Sequence, residues 1–532
     1  MSGCKTLTQR KSRMKNNDKA WRQYEAGKAY KRQIGLYENN RRNERFYRGD
    51  QWYGSQMNDL PKPVFNVIRR VIDFLVSSVA STDLSIRYTD ENLPYITDKR
   101  QKEALTEALD ILTKNAAYRW ERSGLESKLF GLLTDAAVFG DGVIYCYWDP
   151  TVKTGQKYSG DIVTEIIDNV NLFVSDANRA DIQSQEYVIL SGRASVTSLR
   201  QEAMKNGVPS ELVNKISADR VLEIQSGDLG YTELDGEDEA KTTYIIKFWR
   251  EDGKVVFEKS TEGCVIKRVK TDCTLYPVAY FNWYPTKNSF HGTSPVTSLI
   301  PNQKFINRAY AMAMKHMTDT AFSKVVYDKS KIPEWSNGVG EAIAALGGGN
   351  IADAVSVVGV GEMQDGYMEL IDSAVALTKE LMGATDSALG NIDANNTSAI
   401  IALQETSKVT LEQIRASYYK CIEDMANIWV DMMCAYYPNG RLLPFACDGE
   451  TAVSGVDFEL LKTEMLSARI DVAQVARYSA VSAQNMLDKL LELGHISPTS
   501  YVKRLPAGIV HDREALIDEI EMKTKEKEEI VC

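Results

Sequence analysis

The longest regular pattern of apolar positions lies in the C-terminal half of the chain. From Leu411 the residues Ile414, Tyr418, Ile422, Met425, Trp429, Met432 and Tyr436 recur in alternating three- and four-residue steps, which keeps one stripe on one helix face. Taken from Ser398 to residue 437, this predicts a helix roughly 60 Å long at about 1.5 Å per residue. Such a strut suits a large radial assembly better than a globular enzyme. Upstream, Trp21 to Arg48 reads as one polar helix ending at Gly49. Pro61 and Pro63 introduce a second, with Val64, Ile68, Val71, Ile72, Leu75 and Val79 on its buried side. Two more helices are expected at about 98–116 and 124–139, the second ending in Gly140-Asp141-Gly142.

From Val143 the period changes from helical to alternating. Val143 to Trp148, Ile162 to Ile167, Tyr187 to Leu190, Tyr244 to Arg250, Val255 to Glu258 and Val265 to Val269 read as strands, with Asp252-Gly253 as a hairpin turn. A short helix is expected near Val196 to Asn206 and an acidic loop from Gly227 to Ala240. After Pro285 the helical period returns. His291-Gly292-Thr293-Ser294-Pro295 starts a helix that runs through Gln303, Asn307 and Met314 to about Phe322. A compact insert follows, with strands at Lys324 to Tyr327 and Val355 to Val360, a small helix around Gly340 to Leu346 and a break at Gly347-Gly348-Gly349. Met363 to Ala384 forms another helix with Tyr367, Leu370, Ala374, Leu377 and Leu381 in line. Beyond Pro438, helices are expected at about 457–477, 480–493 and 512–530. The fold class is α+β and helix-rich.

At 532 residues the chain exceeds what one hydrophobic core usually serves, so several domains or an elongated subunit are expected. Residues 1–20 read as a disordered basic arm. The first 48 residues carry fourteen Lys or Arg against Asp18, Glu25, Glu38 and Glu44, although the whole chain has a net charge of −10. Overall acidity argues against tight DNA binding, which depends on cations neutralising phosphates, but not against a surface that DNA slides past. The longest apolar runs, such as Val71 to Val79, fall well short of the roughly 18 residues a membrane span needs. The first residues lack the apolar core of a secretory signal. The eight cysteines show no paired spacing that suggests zinc or disulfides, which fits a reducing compartment.

Catalytic patterns are missing. The histidines His291, His316, His495 and His511 stand in separate segments without a second ligand at metal-binding spacing, and are read as structural or surface residues. Gly347-Gly348-Gly349-Asn350 lacks the Lys and Ser/Thr of a phosphate loop. Asp176 to Asp181 begins like a calcium loop but lacks its turn glycine, and Tyr187 stands where the bidentate Glu belongs. Arg48-Gly49-Asp50 is read as a turn. The informative polar segment is Thr385 to Thr397, which has no Lys or Arg and joins two amphipathic helices. Its Asp386, Asn391, Asp393, Asn395 and Asn396 suit a loop that meets a polyanion without holding it.

Several segments in order carry a resemblance: Phe46 to Trp52 followed by Pro63-Val64-Phe65-Asn66-Val67-Ile68; Phe130 to Trp148; Asn171 to Asp176; and Tyr276-Pro277-Val278 through His291-Gly292-Thr293-Ser294-Pro295 to Gln303 and Asn307. Together they cover most of residues 21–437, and in this set the chain resembles the portal proteins of tailed bacteriophages. The resemblance implies an elongated subunit: a mixed α/β wing at 21–293, stem helices at 294–322 and 363–384, and a small α/β clip at 323–362. A tunnel loop at 385–397, a long helix at 398–437 and a helical crown at 438–532 complete it. It further implies a homo-oligomeric ring, a dodecamer, at one capsid vertex of the virion, assembled in the bacterial host cytoplasm. The terminase large subunit, major capsid protein, scaffold and head-tail adaptor would be its partners, with double-stranded DNA passing non-specifically. Lys329, Lys331, Glu334 and Trp335 are candidates for the motor-facing surface, and pairing between neighbouring clips is expected to satisfy the strand edges. Neither a cofactor, a metal, a membrane nor an enzymatic activity is implied. The alternatives are another capsid or connector component and, last, a nucleic-acid-processing enzyme.

Overall fold

The computed structural model describes residues 19–57, 59–80, 83–219, 240–320, 324–336, 343–347, 350, 354–358, 366–384, 411–438, 440–447, 450–458, 461, 466–473, 486–504, 516–517 and 520. The polar N-terminal helix is broken in two, α1 over 19–33 and α2 over Leu36–Arg48, because Gly35 takes a left-handed conformation (φ 69°) that glycine adopts without steric cost. Next come α3 (Val67–Ala80), β1 (Asp83–Asp90), α4 (Lys99–Arg122) and α5 (Leu125–Phe139). The buried side of α3 is the expected one, except that Val64 precedes the helix and is exposed.

The alternating region folds as two antiparallel sheets. One has the order β3-β2-β9, from Asp161–Ile166, Asp141–Asp149 and Val278–Asn282. The other runs β4-β5-β6-β7-β8, from Leu172–Val174, Tyr187–Ser195, Lys241–Glu251, Lys254–Thr261 and Cys264–Lys270. Asp252 (φ 55°) and Gly253 (φ 76°) make the two-residue turn between β6 and β7, as a mirror-image hairpin turn demands. A helix, α6 (Val196–Lys205), follows β5, with the Ser195 side chain capping the Ser198 N–H. A single turn, α7 (Ser210–Val213), follows it. The acidic loop lies almost wholly outside the described residues.

The C-terminal half supplies α8 (Pro295–Thr320), the ribbon of β10 (Lys324–Tyr327) and β11 (Val355–Val358), α9 (Gly366–Glu380) and α10 (Glu412–Tyr436). The expected stripe of α10 is buried from Ile414 to Met432, and so are Cys421, Ala426, Ile428, Val430 and Met433 beside it. A helix apolar on most of its circumference belongs in a core rather than on a surface. Asp431 fixes α10 to the region after β8 by accepting from the Thr274 N–H at 2.8 Å and the Leu275 N–H at 3.0 Å. Trp429 donates to Thr164 on β3 at 2.9 Å. Residues 398–410, the expected first part of the strut, lie outside the described residues.

Two expectations are corrected. Between 442 and 473 the described residues are mostly strand, with only 458 and 461 helical. β12 (Leu442–Cys447) and β13 (Glu450–Gly455) form a hairpin, and β14 (Leu466–Ala473), inside the helix expected at 457–477, pairs antiparallel with β1 from Ile470↔Ile86 outward. Leu466, Ala468, Ile470 and Val472 alternate, so the strand period was present. The decisive partner, β1, lies some 380 positions upstream. Side chains of α10 cap the outer edge of β14: the Ala468 N–H goes to Asn427 at 2.7 Å and the Ile470 N–H to Glu423 at 3.1 Å. Beyond it, residues 486–492 and α12 (Pro498–Arg504) are helical, the former being α11. The second correction concerns the expected helix at Gly340 to Leu346. Residues 343–346 are not helical; the Leu346 N–H instead bonds the Lys331 carbonyl at 2.7 Å.

Candidate assembly and docking surfaces

The position of α8 is set by a buried polar hub at its start. Asp141, 2% exposed, opens β2 immediately after Gly140. Its Oδ2 lies 2.6 Å from His291 Nδ1 and accepts from Asn169 Nδ2 at 3.0 Å, while Oδ1 accepts from the Gly292 N–H at 2.7 Å and Asn282 Nδ2 at 3.1 Å. Asn40 of α2 extends the network by donating to Asn169 at 2.7 Å. One carboxylate thus ties α2, β2, β9 and the turn into α8. The backbones approach so closely that a Cβ on Gly140 (φ 97°) would stand 2.7 Å from the Gly292 carbonyl oxygen.

About two turns along α8 a second clamp follows. Gln303 Oε1 accepts from the Val67 and Ile68 N–H groups at 3.0 and 3.2 Å, capping α3, and its Nε2 donates to the Phe65 carbonyl. Asn307 donates to Gln51 at 2.6 Å. The ordered segments Phe46 to Trp52, Pro63 to Ile68 and His291 to Asn307 therefore meet in space through buried amides. Lys31 of α1, 2% exposed, donates to the carbonyls of Asn169, Val170 and Leu172. Burial pushes its ammonium well below the ordinary lysine value, against the opposing pull of Asp141.

Near this hub, burial pushes the Asp135 carboxyl up to about 7, with the charges of Asp168 and Glu44 adding to the shift. The unfolded chain then ionises this group first, so stability should fall as pH rises from about 4 to 7 and level off above. Asp135→Asn is expected to remove that slope and to stabilise the fold at pH 8 by up to a few kcal/mol. Urea unfolding at pH 5 and pH 8 checks both.

Along α8 and α9 several apolar side chains stand exposed. On α8, Phe305, Met312, Met314 and Met317 are 37 to 56% exposed. Of the line expected on α9, Tyr367 donates to the Ala309 carbonyl and Ala374 packs against the core, whereas Leu370, Leu377 and Leu381 stand 54, 57 and 72% exposed; the buried residues of the helix are Ile371 and Thr378, outside that line. Spacings of seven and four residues put these three leucines on one face.

Between α8 and α9, β10 and β11 pair with each other, Val325 opposite Val357 and Tyr327 opposite Val355. This within-chain pairing accounts for one edge of each strand; a two-stranded ribbon is marginally stable alone and keeps two outer edges. Asp328 closes the following turn by accepting from Ser330 N–H and Oγ, and Ile332 is buried against it. Lys329, Lys331 and Glu334 are exposed, while Trp335 is partly buried and stacks on Tyr327 with ring centroids 5.3 Å apart. Asp386, Asn391, Asp393, Asn395 and Asn396 lie outside the described residues.

Sequence reasoning missed the meeting of Asp141 with His291, although it named both segments. The calcium-like stretch proves to be a self-closed turn: Asp176 accepts from the Asn178 N–H and pairs with Arg179. Among the described residues no helix is long and apolar enough to cross a membrane, and no cluster of three or more His, Cys, Asp or Glu could hold a metal.

The described residues combine a two-sheet body, a pair of helices joined through a two-stranded ribbon and a buried core helix, a mixed α+β subunit. Residues 23–444 match the family of phage P22-like portal proteins, and the chain belongs to that family. No curated protein matches it. It is a bacteriophage portal protein, the head-tail connector of the phage head, in a family that is structural and in general not enzymatic.

Proposed function

We propose that this chain forms a dodecameric ring at one capsid vertex, with a central channel through which double-stranded DNA is packaged and later ejected. The observation that carries this reading is the leucine face of α9 beside the methionines of α8: apolar surface of this kind on a lone subunit calls for a partner. A closed ring needs two different faces per subunit, and a helix pair with apolar residues outside its own packing interface provides them.

In this reading the wing is 21–293, the stem helices 294–322 and 363–384, the clip 323–362, the tunnel loop 385–397, the long helix 398–437 and the crown 438–532. The outer edges of β10 and β11 would pair with neighbouring clips. Lys329, Lys331, Glu334 and Trp335 would face the terminase large subunit during packaging and the head-tail adaptor afterwards. The major capsid protein and scaffold would surround the wing, and assembly would take place in the host cytoplasm before incorporation in the virion. Asp386, Asn391, Asp393, Asn395 and Asn396 would line the narrowest passage, where carboxylates and amides repel or release phosphate rather than grip it.

Replacing Asn391, Asp393 and Asn395 together with Lys tests the channel. Rings should still form in negative-stain micrographs, while packaged DNA per head falls severalfold. Unchanged packaging would remove the loop from the mechanism.

A further inference from the structure

Where the end of α4, the β2–β3 hairpin, α10 and β12 converge, a cavity of about 230 Å³ is lined by four cations, Arg119, Arg122, Lys128 and Arg441, and one carboxylate, Asp161. In a chain of net charge −10, such a local surplus runs against the average. The carboxylate is already committed: Asp161 Oδ1 accepts from Arg119 Nη1 and Nη2 at 2.9 Å and from the Tyr437 hydroxyl at 2.7 Å. Arg441 Nη2 lies 3.7 Å from the same oxygen, so one negative charge is shared by two guanidinium groups and the four cations keep a surplus of three.

The remaining cations keep donors to spare. Lys128 gives one N–H to the Thr164 carbonyl at 2.9 Å, and an ammonium has three. Arg441 gives Nη1 to the Gly160 carbonyl and lies 3.8 Å from the centre of the Tyr437 ring, which holds its plane in place. Arg122 is exposed at the mouth. Asn115, only 1% exposed, lines the same cavity; its Nδ2 donates to the Pro444 carbonyl at 2.7 Å, and its Oδ1 is buried with no hydrogen-bond partner among the described residues. A buried acceptor left unpaired costs free energy that a bound donor recovers. The space admits a small tetrahedral anion with a few waters.

We propose that this cavity binds hydrogen phosphate, with Arg122 and Lys128 supplying charge and N–H donors and Asn115 Oδ1 accepting from the anion's own O–H. That O–H separates hydrogen phosphate from sulfate and from the phosphodiesters of DNA, which at neutral pH have none. A bound anion would tie α4 and the β2–β3 hairpin to β12, joining the body to the segment that follows the portal core helix.

Calorimetric titration of the full chain at pH 7 and constant ionic strength tests this, with inorganic phosphate, sulfate, dimethyl phosphate and chloride as probes. Phosphate should bind saturably, and sulfate and dimethyl phosphate about tenfold or more weakly, since each leaves Asn115 Oδ1 unpaired. Arg122→Gln with Lys128→Met should weaken phosphate binding about tenfold or more, as loss of two charge-assisted contacts implies. Should the double variant fold poorly by circular dichroism, Arg122→Gln alone, at an exposed position, carries the comparison. The proposal is overturned if phosphate gives no heat beyond the chloride control, if sulfate binds as tightly, or if the variants bind as the parent does.

Discussion

Glutamate at Leu370, Leu377 and Leu381 together should leave a folded chain that no longer closes into rings. The three side chains are more than half exposed in the single subunit, so the change costs little in folding, where surface substitutions usually stay within about 0.5 kcal/mol each. The neighbouring side of α9, held by Ile371 and Thr378, is untouched. In a closed ring the same face recurs at each subunit boundary, and burying an unpaired carboxylate there costs several kcal/mol. Light scattering after size exclusion should report monomers or small open oligomers, with a melting temperature within a few degrees of the parent. Full-size rings from this variant would show that the α9 face is not a subunit boundary.

Asp141→Ala should be among the most destabilising single changes in the chain. The substitution leaves four donors without their acceptor: the His291 ring, the Gly292 N–H and the amides of Asn169 and Asn282. Removing the anionic member of such a buried network costs about 3–5 kcal/mol, enough to unfold a marginal domain. Urea midpoints of Asp141→Ala and Asp141→Asn separate the contributions. Asn keeps one acceptor oxygen and should recover part of the loss. If Asp141→Ala shifts the midpoint by no more than an exposed-residue control, the hub does not hold the start of α8.

Much of the architecture was legible because its signals are local. The stripe from Ile414 to Met432, the strands β2, β3 and β5 to β8, the Asp252-Gly253 turn and the Gly140 and Gly49 helix ends all follow from period and backbone freedom over a few residues. What failed was non-local. β14 contains helix formers such as Leu466, Ala468 and Arg469, and only its pairing with β1 and the caps from Glu423 and Asn427 make it a strand. Lys329, Lys331, Glu334 and Trp335 follow β10 along the chain, but stacking of Trp335 on Tyr327 needs a fold to bring the rings together.

The amino-acid sequence by itself determined the order of elements, the apolar face of each long helix and the family, since these depend on spacing along the chain. The tertiary structure alone decided which apolar faces are used internally and which are left over. On α9 the leucines and Ile371 look alike in sequence, and only the packing of α8 against one side leaves Leu370, Leu377 and Leu381 outside. It also decided that Asp141 and His291, 150 positions apart, share a hydrogen bond. Burial and pairing depend on what lies across a contact, and that information is spread over the chain rather than held in any one segment.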